Sequence, residues 1–138
     1  MKTVFVDSNI WIYIHVDANE DEKHAKAISL LENEISQSRI ICSVQVINEF
    51  HWILERKYKI DRKLITKKVQ SIQKIASIVP LTINTYEKAV NLRRNYDLSF
   101  WDSLIVASAV ENDADIVFSE DMRDGLVVQK KLKILNPL

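Results

Sequence analysis

The sequence predicts an α/β fold: a three-layer α/β/α sandwich around a central, mainly parallel sheet of about five short strands. Short continuous apolar runs, the pattern of strands buried on both faces, alternate with longer segments of helical periodicity. Good capping residues, Asp61, Asn84 and Ser99, stand directly before three of those periodic segments. One Gly and two Pro among 138 residues leave no composition for a flexible linker, so 1–138 is expected to form a single domain.

The elements follow in order. Residues 3–6 (TVFV) are a first buried strand that stops at Asp7, and Ser8, Asn9, Ile10 and Trp11 open a helix over 8–16. A second helix is expected over 21–36, then a strand over 39–42, where Ile40, Ile41 and Cys42 run together. Helices over 44–58 and 61–75 come next, the latter behind Asp61, and a strand over 76–79 follows. Helices over 85–95, behind Asn84, and 100–112, behind Ser99, lead to strands over 115–118 and 133–135. The helix from Phe100 is apolar nearly all round and is therefore expected to be deeply packed.

Composition excludes several function classes. With so little glycine there is neither a Walker-type phosphate loop nor a dinucleotide fingerprint. A lone Cys42 in an apolar run makes neither an internal disulfide nor a thiolate zinc site, and reads as a small buried side chain in a reducing compartment. No signal-length apolar stretch precedes Asp7 and no later run approaches a membrane span, so a cytoplasmic protein without a membrane partner is expected. Lys and Arg (19) balance Asp and Glu (19), so any affinity for nucleic acid has to come from local charge. Arg56, Lys57, Lys59, Arg62, Lys63, Lys67, Lys68 and Lys74 face a single acid, Asp61, in one stretch. That stretch is either a solvated helix face or a track for a phosphate backbone.

Four acids stand out. Ligands of open parallel sheets bind outside the carboxyl ends of the strands, which brings Asp7 and the Ser119, Glu120, Asp121 turn to one crevice. Asp7 also suits an N-cap, and Asn9 adds a side chain able to orient a carboxylate. Glu49 falls at the edge of the apolar arc of Val46, Ile47, Phe50, Ile53 and Leu54, where a carboxylate needs either a neighbouring Lys or Arg or a cation. Asp102 takes the capping-box position behind Ser99 and is favoured by the helix dipole. Asp121 sits just past a strand, with Ser119 and Asp124 as supporting candidates, whereas Glu120 reads as part of a solvated turn. His15, His24 and His51 lack zinc-ligand spacing and are expected at the surface or an interface. Trp11, Trp52 and Trp101 are expected in core or subunit packing rather than in base stacking.

These acids, in this order, resemble a known family. Val4 to Ile10, then Ile47, Asn48 and Glu49, then Leu98 to Ile105, and Phe118 to Asp121 are similar to the PIN domain, above all to the VapC-type ribonuclease toxins of prokaryotic toxin–antitoxin pairs. The resemblance spans essentially the whole chain. It implies an endoribonuclease dependent on Mg2+ or Mn2+, hydrolysing RNA by metal-activated water to leave 5′-phosphate and 3′-hydroxyl ends. It also implies a homodimer and a cognate antitoxin. The family's four acids fall on Asp7, Glu49, Asp102 and Asp121, its supporting polar residues on Asn9 and Ser119, and a less regular extra acid on Asp124. Arg56, Lys57, Lys59, Arg62 and Lys63 would then guide the RNA backbone.

The residues leave two other classes open. An aspartyl-phosphate phosphatase would use Asp7 as nucleophile, although it would want an acid where Asn9 stands. A non-catalytic module would hold RNA through the basic stretch alone.

Overall fold

In the computed structural model, which describes residues 1–17 and 21–138, strands and helices alternate as the periodicity requires. The order is β1 (Lys2–Val6), α1 (Ser8–His15), α2 (Asp21–Ile35), β2 (Ser38–Ser43), α3 (Val44–Arg56), α4 (Arg62–Ile75), β3 (Ser77–Val79), α5 (Ile83–Tyr96), α6 (Phe100–Glu111), β4 (Ile116–Phe118), β5 (Val127–Val128) and β6 (Leu132–Leu135). The sheet runs β3-β2-β1-β4-β6-β5. All neighbours pair in parallel except β5 and β6, which are antiparallel.

Continuous apolar strands belong in the middle of such a sheet, and β1 is there, with Val4 and Phe5 wholly buried. Strand β2 is contacted by α2 and α3 and also by α6, so helices cover both faces. α1 packs on α2 and α3, and α3 on α4, while α5 pairs with α6. Right-handed crossovers account for this division, because the chain steps outward from β1 to β3 over one face and returns to β4 over the other. The reversal leaves a crevice between β1 and β4 at their carboxyl ends.

Two expectations need correcting. The sheet has six strands, because Val127 and Val128 form a two-residue antiparallel edge after Gly125, whose φ is 87°. So short a strand carries no periodicity to read. Asn84 does not cap α5; Thr82 does, two residues earlier than the pattern suggested. Thr82 Oγ1 accepts the Thr85 N–H while Thr85 Oγ1 accepts the Thr82 N–H, a reciprocal capping box that starts the helix at Ile83. Of the tryptophans only Trp11 lies in the core, its Nε1 donating to the Val6 carbonyl at 3.1 Å. Trp52 and Trp101 are 56% and 64% exposed.

The histidines have local partners. His15 Nδ1 lies 2.9 Å from the Trp11 carbonyl and His24 Nδ1 2.6 Å from that of Tyr13, while His51 sits 3.5 Å from Glu55. Cys42 is buried as expected, and burial pushes its thiol up to about 12. Among the described residues no helix is long and apolar enough to cross a membrane.

Candidate active site

The site begins where β1 ends. The Asp7 N–H donates to the Phe118 carbonyl at 3.0 Å, extending the β1–β4 ladder by one step and fixing Asp7 beside the first residue after β4. There Ser119, itself buried, donates from Oγ to Asp7 Oδ2 at 2.7 Å, and Oδ1 accepts the Ser8 N–H at 2.7 Å as the N-cap of α1. Burial pushes the Asp7 carboxyl up to about 6, against the pull of those two hydrogen bonds, with Glu49 and Asp102 adding repulsion.

Each of the next two residues reaches another acid. Ser8 Oγ donates to Glu49 Oε2 at 2.9 Å, and Asn9 Nδ2 donates to Asp121 Oδ2 at 2.9 Å. Thus Asp7, Ser8 and Asn9, consecutive at the start of α1, engage the β4 end, α3 and the loop after β4.

Glu49 is presented by α3, which starts immediately after β2 because Ser43 Oγ accepts the Val46 N–H. It is half-buried, as its place at the edge of the apolar arc suggests. Its partners are neutral: Ser8, and Gln45 Nε2 at 3.1 Å. Among the described residues no Lys or Arg pairs with it, so of the two alternatives the sequence leaves open the salt bridge is not what holds it there. Gln45 Nε2 also donates to the Trp101 carbonyl at 3.2 Å, tying α3 to the first turn of α6.

That turn carries Asp102. Ser99 Oγ accepts the Asp102 N–H at 3.1 Å, which makes Ser99 the N-cap as expected. Burial raises the Asp102 carboxyl above its ordinary range, Ser99 pulls it down, and Asp121 and Glu49 raise it further. Asp121 is exposed in the loop, where its N–H donates to Ser119 Oγ at 3.3 Å. Electrostatically the four acids form one group, since Asp7 feels Glu49 and Asp102, and Asp102 feels Asp121 and Glu49. Among the described residues no three His, Cys, Asp or Glu converge as a metal-holding cluster.

Other expectations resolve differently. Glu120 is no solvated turn residue: Tyr13 donates to its Oε1 at 2.8 Å and Lys23 Nζ lies 2.7 Å from its Oε2. This clamp fastens the loop that carries Asp121 to α1 and α2. Asp124 is engaged outside the group, its Oδ1 accepting the Asn136 N–H at 2.9 Å, so it braces the segment after β6. Of the basic candidates, Arg56 and Lys57 line a cavity of about 380 Å3 together with Asn9, Trp52 and Asp121. Arg62 is paired with Glu55 at 2.9 Å, and Lys59 and Lys63 are exposed without lining that cavity. A second cleft of about 480 Å3 opens beside Glu49, between Val44 and Trp101.

Sequence reasoning missed Ser8, Gln45, Tyr13 and Lys23. Ser8 had a readable signal, a hydroxyl at the first helical position beside a strand-end Asp. Gln45, one turn before Glu49, had a weaker one, whereas the Tyr13 and Lys23 contacts span the fold and leave no local pattern.

Solved structures share this architecture. Mycobacterium tuberculosis VapC20, described as a sarcin-ricin loop cleaving toxin, superposes with a TM-score of 0.69 at 17% identity, over 86% of this chain and 89% of that one. VapBC2 from Rickettsia felis, bound to a DNA fragment from its promoter, gives 0.69 at 14% identity over 97% and 99%. A toxin–antitoxin complex from Klebsiella pneumoniae gives 0.70 at 21% identity over 98% of both chains. At such identities the likeness is one of fold. No curated protein matches the chain by sequence. The family model of the PIN domain matches residues 4–125, and with most of its length so matched this chain belongs to the PIN domain family.

Proposed function

We propose that this protein is a divalent-metal-dependent endoribonuclease, the toxin of a type II toxin–antitoxin pair. The observation that supports the reading is the hydrogen-bond network at the switch point of the sheet, in which Ser119, Ser8 and Asn9 tie Asp7, Glu49 and Asp121 to the start of α1, with Asp102 near enough to repel Asp7. Family membership and the fold shared with VapC20 support it.

The donor set suits a hard cation such as Mg2+ or Mn2+. All the candidate ligands are oxygens, and burial, with a smaller part from mutual repulsion, raises two of the carboxyls, a cost that a cation would relieve. Asn9 Oδ1 and Gln45 Oε1, both beside the acids, are buried with no hydrogen-bond partner. Asp7, Asp102 and Asp121 would hold the cation, some through water, with Glu49 as a further ligand or as the group that orients the attacking water. Bound there, the cation would neutralise charge on the scissile phosphate and acidify the attacking water.

The chain's own residues do the positioning. Ser119 aims Asp7, Ser8 and Gln45 hold Glu49 by its two oxygens, and Asn9 sets Asp121 while keeping its own carbonyl oxygen available. Arg56 and Lys57, at the lip of the adjoining cavity, attract the RNA backbone towards an acidic centre. An antitoxin is the expected protein partner, in keeping with the toxin–antitoxin complexes that share the fold. Exposed Val44, Ile83, Tyr86 and Trp101 support a homodimer.

Cleavage of total RNA with Mg2+ or Mn2+, and with chelator as control, tests the chemistry. Asp7→Asn and Asp102→Asn are expected to fall to the chelator background while keeping the unsubstituted circular dichroism spectrum. Full metal-dependent cleavage by both variants would end the assignment.

A further inference from the structure

Trp52 has no part in the chemistry above, and its position asks for an explanation. The core face of α3 is Val46, Phe50 and Leu54; Trp52 lies off that face with more than half of its surface in solvent. Glu49, Trp52, Ile53 and Arg56 follow one another at i, i+3, i+4 and i+7, so acid, indole and guanidinium share one stripe of the helix. Trp52 is only about 4.5 Å of helical rise beyond Glu49. Arg56 Cζ lies 5.0 Å from the indole centroid. The indole, Arg56 and Lys57 line one side of the cavity that Asn9 and Asp121 complete.

An aromatic face, two cations and the rim of the acid group therefore meet in one space. A nucleotide matches each part, because a base stacks on an indole and a phosphate takes the cations. A purely apolar peptide would use the indole and leave both cations unanswered.

We propose that Trp52 is a stacking platform for a base of single-stranded RNA, next to the scissile bond, with Arg56 and Lys57 receiving the flanking phosphate. A base on that platform must be unpaired, and Trp52 is the side chain that would receive it. The subsite belongs to the nuclease reading above, and its test lets the two fail separately.

Binding of a short single-stranded oligoadenylate is measured by fluorescence anisotropy in chelator, so that cleavage does not enter. It is compared with binding of the same phosphodiester chain made abasic. The unsubstituted protein should prefer the base-bearing strand by about tenfold or more. Trp52→Ala should lose that preference and Trp52→Phe should keep most of it. Arg56→Ala and Lys57→Ala should weaken both strands alike and flatten the salt dependence. Absence of binding by the unsubstituted protein overturns the subsite, as does a preference that survives in Trp52→Ala. It is equally overturned if Trp52→Ala binds both strands like the unsubstituted protein and loses only a protein partner. Failure of the nuclease reading looks different: the base preference and its loss in Trp52→Ala stand, while metal brings no cleavage.

Discussion

Asp7 is placed where a carboxylate is costly. It is nearly fully buried and its pKa is raised from 3.8 to about 6, which corresponds to about 3 kcal/mol set against the charged folded state. Below about pH 4 the folded and unfolded chains both hold a protonated Asp7, and nothing is lost. Between about pH 4 and about pH 6 the unfolded chain ionises first, so the metal-free fold weakens as pH rises and bears the full cost above that window. Asp7→Asn, which abolishes cleavage in the proposed mechanism, should therefore stabilise the metal-free protein at neutral pH and give no gain near pH 3.5. Urea denaturation at the two pH values checks this, and an equal effect at both would refute it. The sequence displayed Asp7 as a capping residue at a strand end, and it is one. Its burial was not legible, because it depends on Ser119, 112 positions away.

Helix starts and one loop clamp carry the site between residue and fold. Ser99 caps the helix that presents Asp102, and Ser99→Ala should cost about 1 kcal/mol of stability and reduce cleavage as the first turn frays. Chemical denaturation together with cleavage assays would show the two losses jointly; stability lost with activity unchanged would mean that Asp102 does not need its cap. Glu120→Ala should release the 119–121 loop from Tyr13 and Lys23, raise amide exchange there, and lower cleavage roughly tenfold, as loss of a supporting contact does. Unchanged exchange would remove the clamp from the account. Element order was readable from periodicity, and Ser99 and Asp61 from their chemistry. Asn ranks above Thr as a cap by residue type, yet the reciprocally bonded Thr82 and Thr85 take the position and not Asn84. The edge strand β5 exists only because β6 offers it a partner.

The whole molecule turns an ordinary parallel sheet into a site through one reversal of strand order beside β1. That much followed from the alternation of elements, since strand ends on either side of a switch point face a common crevice. The flanking spaces did not follow, because they depend on which large side chains stay outside. Trp101 lines the cleft beside Glu49, and with Val44 and Ile83 it leaves an apolar surface uncovered. If that surface joins two copies, Trp101→Ser should shift the protein from dimer to monomer in sedimentation velocity; a dimer that persists would assign the contact elsewhere. The hydrogen bond from Asp7 to the Phe118 carbonyl also bears on the chain's own synthesis. Asp7 leaves the ribosome 111 residues ahead of Phe118 and 112 ahead of Ser119. A nascent chain consequently carries Asp7 without these partners over that whole interval, and the acid group can assemble only after Ser119 has emerged.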